Sequence, residues 1–150
     1  MSAAPKHPQF EAVVRDSFAR QTFMATLGAR LARVAPGEVD IVLPVREALA
    51  QQHGSVHAGA VTSVLDSAAG YAALTLMPAD AGILTVEFKV NLLAPAVGAR
   101  IEARARVVRS GRTLSVCTAE AWAVDAAGAE TLVAQLQGTM MCLQGGGRVG

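Results

Sequence analysis

Residues 58–77 read AGAVTSVLDSAAGYAALTLM, and this stretch decides the fold. From Ala58 to Leu76 it holds one charged residue, Asp66, and Pro78 stops it, since a proline disfavours helical backbone in the residue before it. At about 100° per residue, Val61, Val64, Leu65, Ala68, Ala72 and Leu76 fall on one apolar stripe. The opposite side carries Gly59, Thr62, Ser63, Gly70 and Ala73, all small. A helix that is apolar or small all round is buried all round. It needs cover on most sides, and one curved antiparallel sheet supplies that cover.

The flanking sequence supplies the strands. Residues 83–93 alternate, with Leu84, Val86, Phe88, Val90 and Leu92 expected on one face and Thr85, Glu87, Lys89 and Asn91 on the other. Residues 101–109 and 113–124 flank a tight turn at Ser110-Gly111-Arg112, and residues 131–143 make the last strand. Upstream, residues 30–34 and 39–43 form a hairpin around Pro36-Gly37. Phe10, Val13, Val14, Phe18, Met24 and Leu27 predict one helix over residues 10–27, behind Pro8. The glycine-rich tail, residues 145–150, is expected to fray. The layout is α+β: an antiparallel sheet wrapped around one long central helix, with an extra N-terminal helix. Residues 1–150 are expected to form a single domain with its core at about residues 30–143.

Bulk composition narrows the function. The chain is 52% hydrophobic and 17% charged with mean hydropathy +0.37, too apolar for disorder. Apolar content this high in a small protein points to an oligomer interface. A net charge of +1 gives no electrostatic basis for nucleic-acid binding, and 4% aromatics give no stacking platform. Cys117 and Cys142 sit in strand-like segments and read as buried reduced thiols. No apolar run follows a basic cluster near the start, so a cytoplasmic location is expected. Asp66 sits mid-way in the most apolar segment, which argues for a buried helix and against a bilayer span.

The chemistry centres on Asp66. It lies roughly 130° from the middle of the apolar stripe, on the small-residue face, where close packing and scarce water are expected. A buried carboxylate without a partner costs of order 3–5 kcal/mol, so it has either a structural partner or a task. The loop ahead of the helix reads Gln51-Gln52-His53-Gly54-Ser55-Val56-His57-Ala58-Gly59. The first helical turn presents free N–H groups, Ala58 and Gly59 among them, which favour negative charge and fit a developing oxyanion. Gln51 or Gln52 can add a side-chain donor. His53 and His57 have the i, i+4 spacing of zinc ligands. Gly54 stands where a zinc protease carries Glu, and no third ligand is suitably spaced, so neither metal nor cofactor is expected. His57 is expected to orient the loop through a hydrogen bond.

Together these segments resemble the PaaI-type hotdog thioesterases. The resemblance rests on Gln51, Gly54, His57-Ala58-Gly59 and Asp66, nine positions after His57. It continues through residues 85–91 (TVEFKVN), Pro95, Gly98, residues 109–114 (RSGRTL) and Gly138-Thr139, covering most of residues 30–143. Gln51 stands where the family frequently has Asn, and Ala58 where it frequently has Gly. The resemblance implies a hotdog fold whose dimer joins two sheets edge to edge, often doubled to a tetramer. It implies an active site between subunits, with Asp66 from one chain and the Gln51 loop from the other.

The implied activity is hydrolysis of an acyl-CoA thioester, with Asp66 as general base or nucleophile. Ala58 N–H, with Gly59 N–H, would hold the oxyanion; Gln51 would orient water or carbonyl; Thr85 would help place water. The resemblance puts the nucleotide near Arg109, Gly111 and Arg112, with Asn91 a further contact; Arg104 and Arg106 lie on the polar face of the same strand. Partners are then acyl-CoA and further copies of the chain, with no nucleic acid or membrane. Two alternatives are a hotdog hydratase or dehydratase using His57 and Asp66, and a non-catalytic acyl-CoA-binding protein. Tyr71, Leu74, Met77, Phe18, Phe23 and Met24 could line an acyl pocket, although core packing is their simpler role.

Overall fold

The computed structural model describes residues 4–145, so most of the glycine-rich tail lies outside the described residues. Helix α1 (Phe10–Arg20) and helix α2 (Thr22–Leu27) lead into strands β1 (Arg30–Ala35) and β2 (Glu38–Pro44). A 3-10 turn (Glu47–Leu49) precedes the central helix α3 (Ala58–Leu74). Strands β3 (Gly82–Leu92), β4 (Arg100–Ser110), β5 (Leu114–Val124) and β6 (Glu130–Leu143) follow. All neighbouring strands are antiparallel, in the order β1-β2-β4-β5-β6-β3.

Alternating residues of β2, β4, β5 and β6 turn onto α3. Val39, Ile41 and Leu43 of β2, Ile101 and Ala103 of β4, and Cys117 and Ala121 of β5 are fully buried. They meet Val64, Leu65, Ala68 and Ala72, which are also fully buried. The many alanines on the inner sheet face leave room for the helix to lie close, with interior packing density. Among the described residues no helix is long and apolar enough to cross a membrane.

Three local features differ from the sequence expectation. The N-terminal helix is broken at Gln21, whose ψ of 91° is extended. An unbroken helix would set Met24 roughly 80° round from Val14. The break lets both reach the core, at 1% and 0% exposure.

Helix α3 ends at Leu74, three residues before Met77. There Thr75 Oγ1 donates to Ala72 O (2.6 Å) and accepts from Gly37 N–H (2.7 Å), tying the helix end to the β1–β2 turn. Gly37 itself has φ 75°, which that turn requires.

The third difference is a bulge in β3. Thr85 pairs with Met140 and Glu87 with Thr139, leaving Val86 as an extra residue. The alternation therefore switches parity at Val86. Ile83 and Thr85 lie on the same inner face as Phe88, Val90 and Leu92, opposite inward Cys142, Met140, Gly138, Leu136 and Ala134. Leu84 joins Glu87, Lys89 and Asn91 outside.

Candidate active site

The bulge aims Thr85 at α3. Thr85 Oγ1 donates to Asp66 Oδ1 at 2.7 Å and approaches Met140 Sδ at 3.5 Å. Asp66 is half-buried, and burial pushes its carboxyl above the usual carboxylate value, while the Thr85 bond pulls the other way. No cation pairs with it among the described residues. A carboxylate held by one hydroxyl and kept partly dry is more basic than a surface aspartate.

Asp66 does not sit on a close-packed face. The small-residue side of α3 opens instead onto a cleft of about 760 Å³ between α1, α3 and the start of β3. At Gly70 an added Cβ would meet nothing within 4 Å. The cleft wall opposite α3 comes from α1. Ser17 Oγ lies 3.3 Å from Tyr71 Oη, and Ser67 Oγ donates to Gln21 Oε1 at 3.4 Å. The order of these pairs sets α1 antiparallel to α3. Tyr71 and Leu74 line the cleft as the acyl-pocket reading expects, and Phe18 packs edge-on against Tyr71 at 5.8 Å. Met24 and Met77 are core residues, and Phe23 points outward at 53% exposure. Ser17, Gln21 and Ser67 were not anticipated; Gln21 reaches the cleft only because the helix breaks at it.

The loop forms a separate part of the candidate site. His57 is the N-cap of α3, and its Nδ1 accepts from Gly59 N–H at 2.8 Å. The expected loop-orienting hydrogen bond is thus present. It also occupies Gly59 N–H, which is not free for an oxyanion. His57 N–H bonds Leu49 O, and Ala60 and Val61 bond His57 O. Ala58 N–H is left as the amide of this turn with no acceptor among the described residues. A Cβ on Gly59 would fall 2.9 Å from His57 Nδ1, so the capping ring needs glycine there.

Gln51 braces the loop: its Nε2 donates to Ser55 Oγ at 2.7 Å, and its Oε1 accepts from His53 N–H. One Nε2 hydrogen is left over. Gln52 is exposed. Gln51, Ser55 and Ala58 line a second cavity of about 400 Å³ with Leu92 and Leu93.

Within one chain these parts stand apart. Ala58 and Asp66 are separated by roughly 12 Å of helix rise. His57 and Asp66 share no hydrogen bond, so the hydratase-type pair does not form within the chain. Among the described residues no group of three or more His, Cys, Asp or Glu could hold a metal. The remaining candidates divide by sheet position. Ser110, Ser115, Met140 and Thr85 form one row across β4, β5, β6 and β3; Gly111 and Arg112 lie just beyond it and Arg109 one residue before it, all at Asp66's end of the sheet. Arg109 and Arg112 are exposed, with no ion pair among the described residues. Asn91 pairs with Gln135 at the far end, on the outer face beside Lys89 and Arg106. Arg104 is structural: it bridges Glu102 (2.6 Å) and Glu130 (2.5 Å) and lies 5.5 Å over the Trp122 ring.

Comparison with known proteins shows the family and the fold. The family model for the thioesterase superfamily matches residues 53–130, more than half of the chain. A crystal structure of a thioesterase family protein from Silicibacter pomeroyi is 54% identical, with TM-score 0.88, covering 91% of this chain and 99% of that one. The PaaI protein from the phenylacetic acid degradation operon of E. coli is 19% identical, with TM-score 0.80, covering 91% and 95%; at that identity the likeness is one of fold. A Halobacterium salinarum protein described as a candidate esterase is 33% identical over 98 residues, 62% of this chain. The match spans 64% of that curated relative's length.

Proposed function

This chain belongs to the thioesterase superfamily and has the hotdog fold, and from that premise we propose that it hydrolyses acyl-CoA thioesters with the Asp66 carboxylate. The observation that carries the reading is the Asp66–Thr85 pair: a partly desolvated carboxylate, held at 2.7 Å by a strand hydroxyl, facing a cleft large enough for an acyl group. Two routes fit this carboxylate. As a base it takes a proton from water while the water oxygen attacks the thioester carbon; the C–S bond then breaks and CoA thiolate leaves, taking that proton. As a nucleophile its oxygen attacks that carbon, CoA thiolate leaves and takes a proton, and water then cleaves the mixed anhydride. In both, an oxyanion forms on the carbonyl, and the free Ala58 N–H at the positive end of α3 is its donor, with the spare Gln51 hydrogen as a second.

The donors and the carboxylate are completed by a second copy of the chain. Strand β3 is a sheet edge with Val86 at 51% and Phe88 at 41% exposure, whereas the opposite edge, β1, carries Arg30 and Arg33. An exposed apolar edge strand is a template for pairing. The Asp66 cleft borders one end of β3, and the Gln51–Ala58 cavity borders the other, about 20 Å along the strand. Antiparallel pairing of two β3 strands about a two-fold axis brings the first end of one chain to the second end of its partner. Two composite sites per dimer result. Arg109 and Arg112, at Asp66's end, are the CoA phosphate contacts in this arrangement; Asn91, near the other end of β3, reaches the shared site only through the partner.

The direct test is release of CoA thiol by the purified protein from short, long and aromatic acyl-CoAs. Turnover with any of them supports the reading. Tight binding without thiol release supports an acyl-CoA-binding protein instead.

A further inference from the structure

We infer that two copies of the chain join with their two-fold axis on Phe88 of β3, and that Glu87 of each copy, paired with the partner's Lys89, sets that register. The inference rests on the β3-edge dimer of the proposed function and deepens it: the free edge says that copies meet, and the charges say at which residue. Glu87 and Lys89 both stand exposed on the outer face of β3. Glu87 Oε1 accepts from Thr139 Oγ1 at 2.5 Å, which holds the carboxylate over the sheet and leaves Oε2 open. Lys89 has no ion pair among the described residues. Beside it in the outer-face groove stands a second cation, Arg106, while the Glu120 carboxylate there accepts from Trp122 Nε1 (3.3 Å) and Gln135 Nε2 (3.4 Å).

Symmetry and charge fix the axis. A two-fold axis normal to a continuous sheet keeps outer face with outer face, so it falls on a residue and not between two. Thr85 borders the Asp66 cleft, and Leu92 borders the Gln51–Ala58 cavity. Bringing these two together across the axis puts it near mid-strand, on residue 87, 88 or 89. An axis on 87 sets Glu87 against the partner's Glu87, and an axis on 89 sets lysine against lysine; like charges directly opposite are destabilising. An axis on Phe88 sets Glu87 against the partner's Lys89 twice, with Cβ atoms about 4.5–5.5 Å apart. The main chain accommodates this axis. Leu93 N–H bonds Val133 O at 2.8 Å, so by alternation Phe88 and Val90 turn their N–H and C=O off the edge. Phe88 then exchanges both hydrogen bonds with the partner's Phe88. Gly138, opposite Phe88 on β6, has no side chain to crowd it: a Cβ there would lie 3.1 Å from Phe88 Cβ.

A charge-swapped chain, Glu87→Lys with Lys89→Glu, tests the register. It re-forms both pairs with itself and so makes its own dimer. Against the unmodified chain, an axis on Phe88 sets Glu87 against a glutamate and Lys89 against a lysine. The two chains, carrying tags of different mass, are co-expressed and their dimers counted by native mass spectrometry, beside a control of two unmodified chains with the same tags. Random pairing makes half of the control dimers mixed. Mixed dimers of the unmodified and swapped chains should fall to about a quarter or less. A mixed fraction equal to the control overturns control by these charges. A fraction above the control places the axis on 87 or 89, where the swap brings opposite charges together, and overturns the register. A swapped chain that forms no dimer of its own overturns it too. In those cases the edge dimer of the unmodified chain still stands; unmodified chains found only as monomers overturn the dimer reading beneath it.

Discussion

Thr85 reaches Asp66 because Val86 bulges out of β3, turning Thr85 inward to donate to the carboxylate at 2.7 Å. The hydroxyl stabilises the ionised form, while burial favours the protonated one. If ionised Asp66 is required, the acidic limb of kcat/KM lies above 3.8, the ordinary value. Thr85→Val removes the hydrogen bond and should move that limb to higher pH. Thr85→Ser should restore it. A pH profile of the three proteins decides the matter, and a limb unmoved in Thr85→Val contradicts it.

The same raised carboxyl makes a stability prediction of definite sign. Its folded pKa exceeds the unfolded one, so its contribution to stability is complete below 3.8 and is lost as pH rises through the folded value. Asp66→Asn removes that loss. Its thermal midpoint at neutral pH should therefore equal or exceed that of the unmodified protein, and the difference should vanish in acid. A lower midpoint at neutral pH would assign Asp66 a structural role.

His57 predicts a local cost. Its imidazole caps α3 through Gly59 N–H, and losing a helix cap typically costs about 1 kcal/mol. His57→Ala should lower the urea midpoint by that loss divided by an unchanged m-value, about 0.3–1 M for an m of about 1–3 kcal/mol/M. Gly59→Ala, whose methyl would strike His57 Nδ1, should cost about as much or more.

The free edge of β3 predicts assembly. Val86→Asp or Phe88→Glu should leave a folded monomer, read by light scattering and circular dichroism. Turnover should fall at least about 10²-fold, because removing an oxyanion donor alone costs about that much. A monomer with full activity would place the whole site within one chain. Both cysteines, Cys117 and Cys142, are buried, which limits their access to a thiol reagent in the folded protein, and burial pushes the Cys117 thiol up to about 12.

How much of this was legible beforehand varies by element. The central helix was legible because one charge among small and apolar residues has few structural explanations. Each strand expected after it lies within one or two residues of its observed ends, since Gly and Pro mark the turns. The bulge at Val86 was not, because an inserted residue in a strand leaves alternation intact on paper and reverses it in space. The break at Gln21 was hidden as well, for no proline or glycine marks it. Those two features create the cleft, its polar wall and the Thr85 bond. The carboxylate could thus be found by sequence, but its surroundings are products of tertiary packing.

The most direct test of the central claim is turnover by Asp66→Asn, measured as thiol release on protein shown by scattering and melting to be assembled and folded. The account predicts a fall in kcat of about 10²–10⁴-fold, the usual worth of a positioned acid–base group. Undiminished turnover by that folded, assembled variant would contradict it.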